Sequence, residues 1–422
     1  MDTNDDFFDV VKLVFCAYPK LNLCFAQKFY NACMITRKIK HELTECAAEY
    51  PAVTILGPRQ SGKTTLAKMV FSKHPHISLE DPDIRRQATD DPRGLLDDLR
   101  EGAILDEIQR VPQLLSYLQG VIDANRKPGR FILTGSHQPL VHEAISQSLA
   151  GRTAVLKLLP FTVEEVRRYK EHPQSPFEWI HEGFYPGLHE NKLQPVRFFR
   201  SYVATYIERD LRAMIQLKDL SRFETFLRLL AGRVGQLVNY ASLASDVGVS
   251  ATTIKNWISI LKASYILFEL PPWFANIRKR LVKSPKLYFV DVALAAWLLG
   301  LETPEQIERD PLRGALYENL LIMEVVKNVL NQGKEPQLYF FRDGKGNEVD
   351  LLVSSAGRSF TAIEIKSAAT FQPEFIKGID VFQRSVGGDV SVRALVWYNG
   401  ERKTTYQNTT VSNPLLYGFS VS

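Results

Sequence analysis

The chain has 422 residues, 45% of them apolar and 23% charged, which is more than one ordinary core holds and excludes a disordered or low-complexity chain. Its net charge of +5 is too small to mark the whole surface as polyanion-binding. The four cysteines, Cys16, Cys24, Cys33 and Cys46, form no CxxC pair and have no histidine at ligand spacing, which excludes a disulfide scaffold and a structural zinc site.

At the amino-terminal end, VVKLVFCAYPKLNLCFA is broken by Lys12, Pro19 and Lys20. No apolar run approaches the roughly 18 residues of a membrane span, so no membrane partner and a cytoplasmic location are expected. Residues 1–33 are expected to lie outside the fold, with translation beginning at Met34. From there MITRKIKHELTECAAEYPAVTILGP reads as a basic helix running into a strand.

AVTILGPRQSGKTTLAKMVF is an apolar run, a loop and a helical pattern, with Gly57, Gly62, Lys63 and Thr64 at the spacing G-x-x-x-x-G-K-[ST]. Such a loop turns its N–H groups toward phosphates at the positive end of the following helix. Gly57, Pro58, Arg59, Gln60, Ser61, Gly62, Lys63, Thr64 and Thr65 are therefore the expected ATP-binding loop. Lys63 would reach the β- and γ-phosphates, and Thr64 would bind Mg²⁺.

GAILDEIQRVP reads as a short buried strand ending in Asp106, the expected second magnesium ligand, and Glu107, which would orient or deprotonate the attacking water. That neighbouring acid favours an ATP hydrolase over a P-loop kinase. RFILTGSHQPL ends in Thr134 and Ser136, hydroxyls placed to sense the γ-phosphate or simply to form a Thr-Gly-Ser turn. Arg152 in SLAGRTAV either completes the transition-state charge, from its own chain or a neighbouring copy, or is a solvated arginine at a helix end. His181 and His189, eight apart across Gly and Pro, read as a loop rather than a metal site.

Positive charge is concentrated in the middle: residues 197–290 carry 15 Lys and Arg against 6 Asp and Glu, a pattern that suits a nucleic-acid partner, DNA before RNA. Within it, LVNYASLASDVGVSATTIKNWISILKASYILFEL places a helix with Leu243 and Ala244, a turn at Gly248, and Ser250 capping a helix with Ile254, Trp257, Ile258 and Leu261. This is helix-turn-helix spacing, with Thr252, Thr253, Lys255 and Asn256 on the exposed side of the second helix. YILFELPPWFANIRKRLVKSPKLYFVD follows as two strands flanking a basic wing. The same winged-helix module can instead serve protein contacts.

The carboxyl-terminal part reads as a helix (GALYENLLIMEVVKNVL) carrying Glu318, a hairpin turning at Gly344, Gly346 and Asn347 whose second strand carries Asp350, the strand FTAIEIKSA with Glu364 and Lys366, a helix and a last strand. Asp350 and Glu364 on neighbouring strands would hold one Mg²⁺, and Lys366 would orient a water toward a phosphodiester. Glu318, Asp350, Glu364 and Lys366 resemble the restriction-endonuclease-like nucleases, whose motif is an Asp, a spacer and Glu-x-Lys. Val349 stands where many of that superfamily carry proline. The competing reading is an ion network in a domain that keeps the fold without cutting.

LGPRQSGKTTLA, LDEIQ, LTGS, SLAGR, YIERDLR, LLAGRVGQLVNYASLASDVGVS, RLVKSPKLYFVD, NEVDLL and IEIKS together resemble a prokaryotic family of AAA-type ATPases joined to a carboxyl-terminal domain of unknown function. The resemblance implies an α/β chain with a P-loop AAA-type ATPase domain over 34–195, a helical and winged-helix domain over 196–295 and a nuclease-like α/β domain over 296–422. It also implies a possible homo-oligomer, since AAA-type sites often borrow an arginine. The expected function is an ATPase acting on nucleic acid, with a nucleotide-gated DNA-binding or protein-binding regulator as the alternative.

Overall fold

The computed structural model describes residues 35–136, 145, 147–168, 172–206, 220–273, 284–355, 359–387 and 390–420. The leader 1–33, Cys16, Cys24, Cys33, most of YIERDLR and the basic wing stretch 274–283 lie outside the described residues. Residues 37–422 form one compact unit.

The apolar runs of the amino-terminal part become a five-stranded parallel sheet in the order β2-β3-β4-β1-β5. Its strands are β1 (Ala52–Gly57), β2 (His76–Ser78), β3 (Ala103–Asp106), β4 (Phe131–Ser136) and β5 (Thr153–Lys157). β1, β3 and β4 are buried along their whole length, as a parallel sheet covered on both faces requires. The two-residue period divides the core: Ala52, Leu56, Leu105 and Leu133 pack on one side, Val53, Ile55, Ile104 and Ile132 on the other. Helices α1 (Lys40–Glu49) and α2 (Lys63–Val70) cover the second side, and α3 (Leu114–Ala124) the first.

In the middle, α4 (Leu220–Ala231), α5 (Tyr240–Val247) and α6 (Ala251–Ala263) pack together. Asn239 and Ser250 cap the latter two by accepting from Ser242 N and Thr253 N, each at 3.0 Å, and Gly248 closes the turn at φ +74°. Trp257 seats against Phe223 and Phe226 of α4, ring centres 5.1 and 5.2 Å away. The two expected strands are β6 (Leu267–Leu270) and β7 (Lys286–Phe289), paired antiparallel.

After α7 (Val292–Leu298), helix α8 (Arg313–Leu330) leads into a six-stranded sheet ordered β12-β13-β11-β10-β9-β8. These are β8 (Leu338–Arg342), β9 (Glu348–Ser355), β10 (Ser359–Lys366), β11 (Ser391–Tyr398), β12 (Thr404–Tyr406) and β13 (Thr409–Ser412), with α9 (Lys377–Val386) between β10 and β11. Helix α8, whose sequence reads as an amphipathic helix, is instead buried nearly all round, and β10, whose sequence reads as a strand with one half-buried face, is covered on both faces, Thr361 through Ile365 being buried. Layers on both sides of each element leave no solvent face. Among the described residues no helix is long and apolar enough to cross a membrane.

Candidate functional site

The phosphate loop follows β1 and enters α2 through Gln60 at φ +64° and Gly62 at φ +89°. Gly57 is required for a different reason: a Cβ there would lie 2.1 Å from the Leu158 carbonyl oxygen, because β5 runs hard against this turn. Lys63 is 4% exposed and folds back, its ammonium donating to the Gly57 and Pro58 carbonyls at 3.1 and 2.8 Å. Burial pulls its pKa down to about 8, against the opposing pull of Glu107 and Asp106.

Because β4 separates β1 from β3, Thr134 lies between the loop strand and the acid strand. The Thr64 hydroxyl donates to Asp106 Oδ1 at 2.7 Å, and the Thr134 hydroxyl donates to the same oxygen while accepting from Glu107 N at 3.3 Å. Ser136 pairs across the sheet with Gly57, and its hydroxyl is buried. Glu107 stands in the left-handed region at φ +58°, a conformation that costs about 1–3 kcal/mol for a non-glycine residue and aims its carboxyl back toward the loop lysine. Gln109 donates to that carboxylate, whose pKa burial raises.

Two residues here were not legible in sequence. His76, from the three-residue β2, stands 3.5 Å from Asp106 Oδ2, and burial lowers its pKa. Gln109 was simply the end of LDEIQ. Ser61 Oγ, Ser136 Oγ and Gln109 Oε1 are all buried without a hydrogen-bond partner among the described residues. Buried polar atoms are rarely left unmet, so this concentration fits a polar ligand. ATP suits the loop; Thr64 and Asp106, one hydroxyl and one carboxylate, suit the magnesium it carries.

Arg152 needs correction. It precedes β5, whose first residue pairs with Ala52 at the start of β1, whereas the phosphate loop follows the end of that strand, about 20 Å away. Its fork is already engaged by Asp123, at 2.8 and 2.7 Å, which holds that carboxyl down at about 2. Arg152 therefore does not reach the phosphate loop of its own chain.

Arg37, just before α1, donates to the Ser61 carbonyl of the loop at 2.8 Å, to Leu159 O at 2.6 Å and to Glu165 at 3.2 Å. The next links come from α8: Glu324 accepts from Val163 N at 2.8 Å, and Lys327 donates to Phe161 O at 2.8 Å and to Glu324 at 3.0 Å. A continuous set of buried polar contacts thus joins the phosphate loop to the helix that carries Glu318.

The second centre is built where β9 and β10 part. Their ladder ends at Leu351 and Ile363, and the next N–H, that of Ile365, donates to Asp350 Oδ2 at 2.8 Å instead of to a backbone carbonyl. Glu318, Asp350, Glu364 and Lys366 do converge here. Lys366 lies 2.6 Å from Glu364 Oε1 and 3.6 Å from Asp350 Oδ2.

Unforeseen is Lys286 of β7, 3% exposed, whose ammonium lies 2.5 Å from Glu348, 3.1 Å from Glu318 and 4.0 Å from Asp350. The Tyr288 hydroxyl also donates to Glu318. A usable signal existed, since strand alternation puts Lys286 with Tyr288 and Glu348 with Asp350. Read alone, KLYF suggested only the edge of a basic wing.

Burial alone would discharge Lys286, but Glu318, Asp350 and Glu348 hold its ammonium well above the ordinary lysine range. Burial pushes the Glu364 pKa to about 8 and that of Glu318 to about 7. Two ammonium groups, those of Lys286 and Lys366, therefore stand among these acids.

Among the described residues no group of three or more His, Cys, Asp or Glu is arranged to hold a metal ion. Asp350 and Glu364, expected to hold one Mg²⁺ between them, both face the Lys366 ammonium, while Glu364 Oε2 is left without a partner among the described residues.

Three family matches divide the chain: an AAA domain over residues 49–167, a domain of unknown function (DUF8612) over 174–305 and a domain of unknown function (DUF4143) over 313–416. Uncharacterized proteins of Mycobacterium tuberculosis and Mycobacterium bovis are each 31% identical over 369 residues, 86% of this chain and 80% of theirs. Among solved structures, a Walker-type ATPase of Pyrococcus abyssi is 18% identical with a TM-score of 0.42, covering 62% of this chain and 94% of its own. This chain belongs to the family of the uncharacterized mycobacterial proteins and is an AAA-type ATPase.

Proposed function

We propose that this ATPase is a nucleotide-gated switch that binds nucleic acid, DNA before RNA, through the helical pair α5–α6. ATP is turned over with Mg²⁺ held by Thr64 and Asp106 and with Glu107 acting on the water. Residues 34–195, 196–295 and 296–422 serve as motor, nucleic-acid-binding and nuclease-like parts, and the last keeps its acids compensated, so that the output is binding. An oligomer in the cytoplasm, supplying an arginine in trans, suits this reading.

The observation that carries it is the start of α6. Thr252, Lys255 and Asn256 are exposed there while Ile254, Trp257 and Ile258 are buried, so the polar face is free and the apolar face holds the helix in place. Lys255 also stands over the Tyr240 ring at 5.4 Å, which keeps its charge at this surface.

The test is fluorescence anisotropy with duplex DNA, single-stranded DNA and RNA, with and without a non-hydrolysable ATP analogue, across salt concentrations. Duplex binding should weaken steeply with salt, and Lys255→Ala should lower the log–log salt slope by about one. Lys63→Ala should remove the nucleotide dependence. No binding to any of the three at about 50 mM salt, with ATP hydrolysis intact, overturns the reading.

The convergence of Glu318, Asp350, Glu364 and Lys366 favours one second reading, a metal-dependent nuclease. Cleavage in Mn²⁺ that is lost in Glu364→Ala would establish it.

A further inference from the structure

We propose that the ammonium of Lys286 is the resident cation of the carboxyl-terminal acid centre, and that this centre takes a divalent metal ion only when that ammonium is removed. The proposal does not depend on the chain acting on nucleic acid.

The geometry is that of a cation site filled from within the chain. One buried point, the Lys286 Nζ, has carboxylate oxygens of Glu348, Glu318 and Asp350 at 2.5, 3.1 and 4.0 Å. Three carboxylates from α8 and β9 turn toward this one point, at separations set by an ammonium rather than by a metal ion, and a protein seldom buries so many acids together without a cation among them. In the same centre Glu364 is 8% exposed, and its Oε2 is buried without a partner among the described residues. Lys366 satisfies only the other oxygen of that carboxylate.

An ammonium cannot share this point with a metal ion. At these separations a divalent ion and the Lys286 ammonium would need the same position and compete for the same carboxylate oxygens, so that one cation displaces the other. The cation is delivered from outside the six-stranded sheet: Lys286 begins β7, β7 pairs with β6, and β6 runs into Pro272, which bridges Phe340 of β8. The two-stranded piece that follows α6 therefore decides what the acid centre holds. Held this way, the centre joins the α5–α6 segment to the carboxyl-terminal sheet by charge and is closed to metal chemistry.

The test is calorimetric titration of the nucleotide-free, full-length chain with Mn²⁺, comparing wild type, Lys286→Met, Asp350→Asn and Lys286→Met/Asp350→Asn. Lys286→Met should gain one Mn²⁺ equivalent that wild type lacks. The double variant should lose that equivalent. Wild type and Asp350→Asn should titrate alike, because in the wild type the centre takes no metal.

If Lys286→Met folds poorly, Lys286→Gln keeps a neutral donor of similar length. Its melting temperature should then rise with added Mn²⁺, whereas that of wild type should not respond through this centre. The proposal is overturned if wild type binds an equivalent that Asp350→Asn abolishes. It is equally overturned if folded Lys286→Met and Lys286→Gln bind no additional Mn²⁺.

Discussion

Glu107→Gln is expected to leave ATP bound and to slow its hydrolysis about 10²–10⁴-fold, the range for loss of a positioned general base. The argument rests on how the residue is held. It follows Asp106 directly, its backbone is turned into the left-handed region, and its N–H is fixed by Thr134. Its carboxyl is oriented by Gln109 and stands in the field of Lys63. Glutamine keeps the shape and the Gln109 contact but cannot accept a proton.

Lys63→Ala should act on both binding and turnover. The ammonium that now rests on the Gly57 and Pro58 carbonyls is the charge available to an incoming polyphosphate, and its loss should cost about 10²–10³ in kcat beyond the weaker binding. Steady-state phosphate release combined with fluorescent-nucleotide binding separates the two variants. A Glu107→Gln enzyme turning over at the wild-type rate would remove Glu107 from the chemistry.

The second large effect is on stability. Glu165→Ala is expected to destabilise the chain by about 3–5 kcal/mol, because it leaves the Arg37 guanidinium buried without its counter-charge. Arg37 is 6% exposed and Glu165 fully buried, so water does not replace the lost partner. Glu165 also completes the capping box of the short helix at Val163–Val166, so that turn should loosen as well.

Replacing both residues, Arg37→Met with Glu165→Leu, should recover much of the loss, since an apolar pair of similar volume often matches a buried ion pair. The double variant should still show a raised KM for ATP, because Arg37 holds the Ser61 carbonyl of the phosphate loop. Urea titration of wild type, Glu165→Ala and the double variant, with KM measured alongside, is the check. Equal stability of Glu165→Ala and wild type would sink the argument.

This pair also has a pH signature. Burial raises the Glu165 pKa, but Arg37 and the N–H groups of Lys38 and Thr162 outweigh burial and hold it below the ordinary carboxylate value. A carboxylate depressed in the folded state contributes stability above its unfolded pKa and loses it as the pH falls through the folded value. Its contribution should therefore be intact at neutral pH and vanish in acid below the ordinary glutamate range, and Glu165→Leu should flatten that acid limb.

Most of the phosphate site was legible because it is local. Gly57 to Thr65 are consecutive, and the backbone of one loop makes the site. Asp106 and Glu107 announce themselves at the end of a buried apolar run. The helical pair was equally readable: Asn239, Gly248 and Ser250 are local capping signals, and Trp257 and Leu261 fall on a 3.6-residue period.

What tertiary structure decided were the meetings between distant elements. Strand register put Arg152 at the wrong end of the sheet, and no periodicity within SLAGRTAV carries that information. His76 reached Asp106 from a strand of three residues, too short to show an alternating pattern. Arg37 found Glu165 across 128 positions, and Lys286 found Glu318 across 32.

The acid centre shows the division most plainly. Glu-x-Lys and the preceding aspartate identify the acids as odd residues on apolar strands, so their presence was determined by the sequence alone. Whether those acids hold a metal or an ammonium depends on which element packs over the point where β9 and β10 part. A lysine at the start of a short strand looks like any solvated charge until folding buries it among carboxylates.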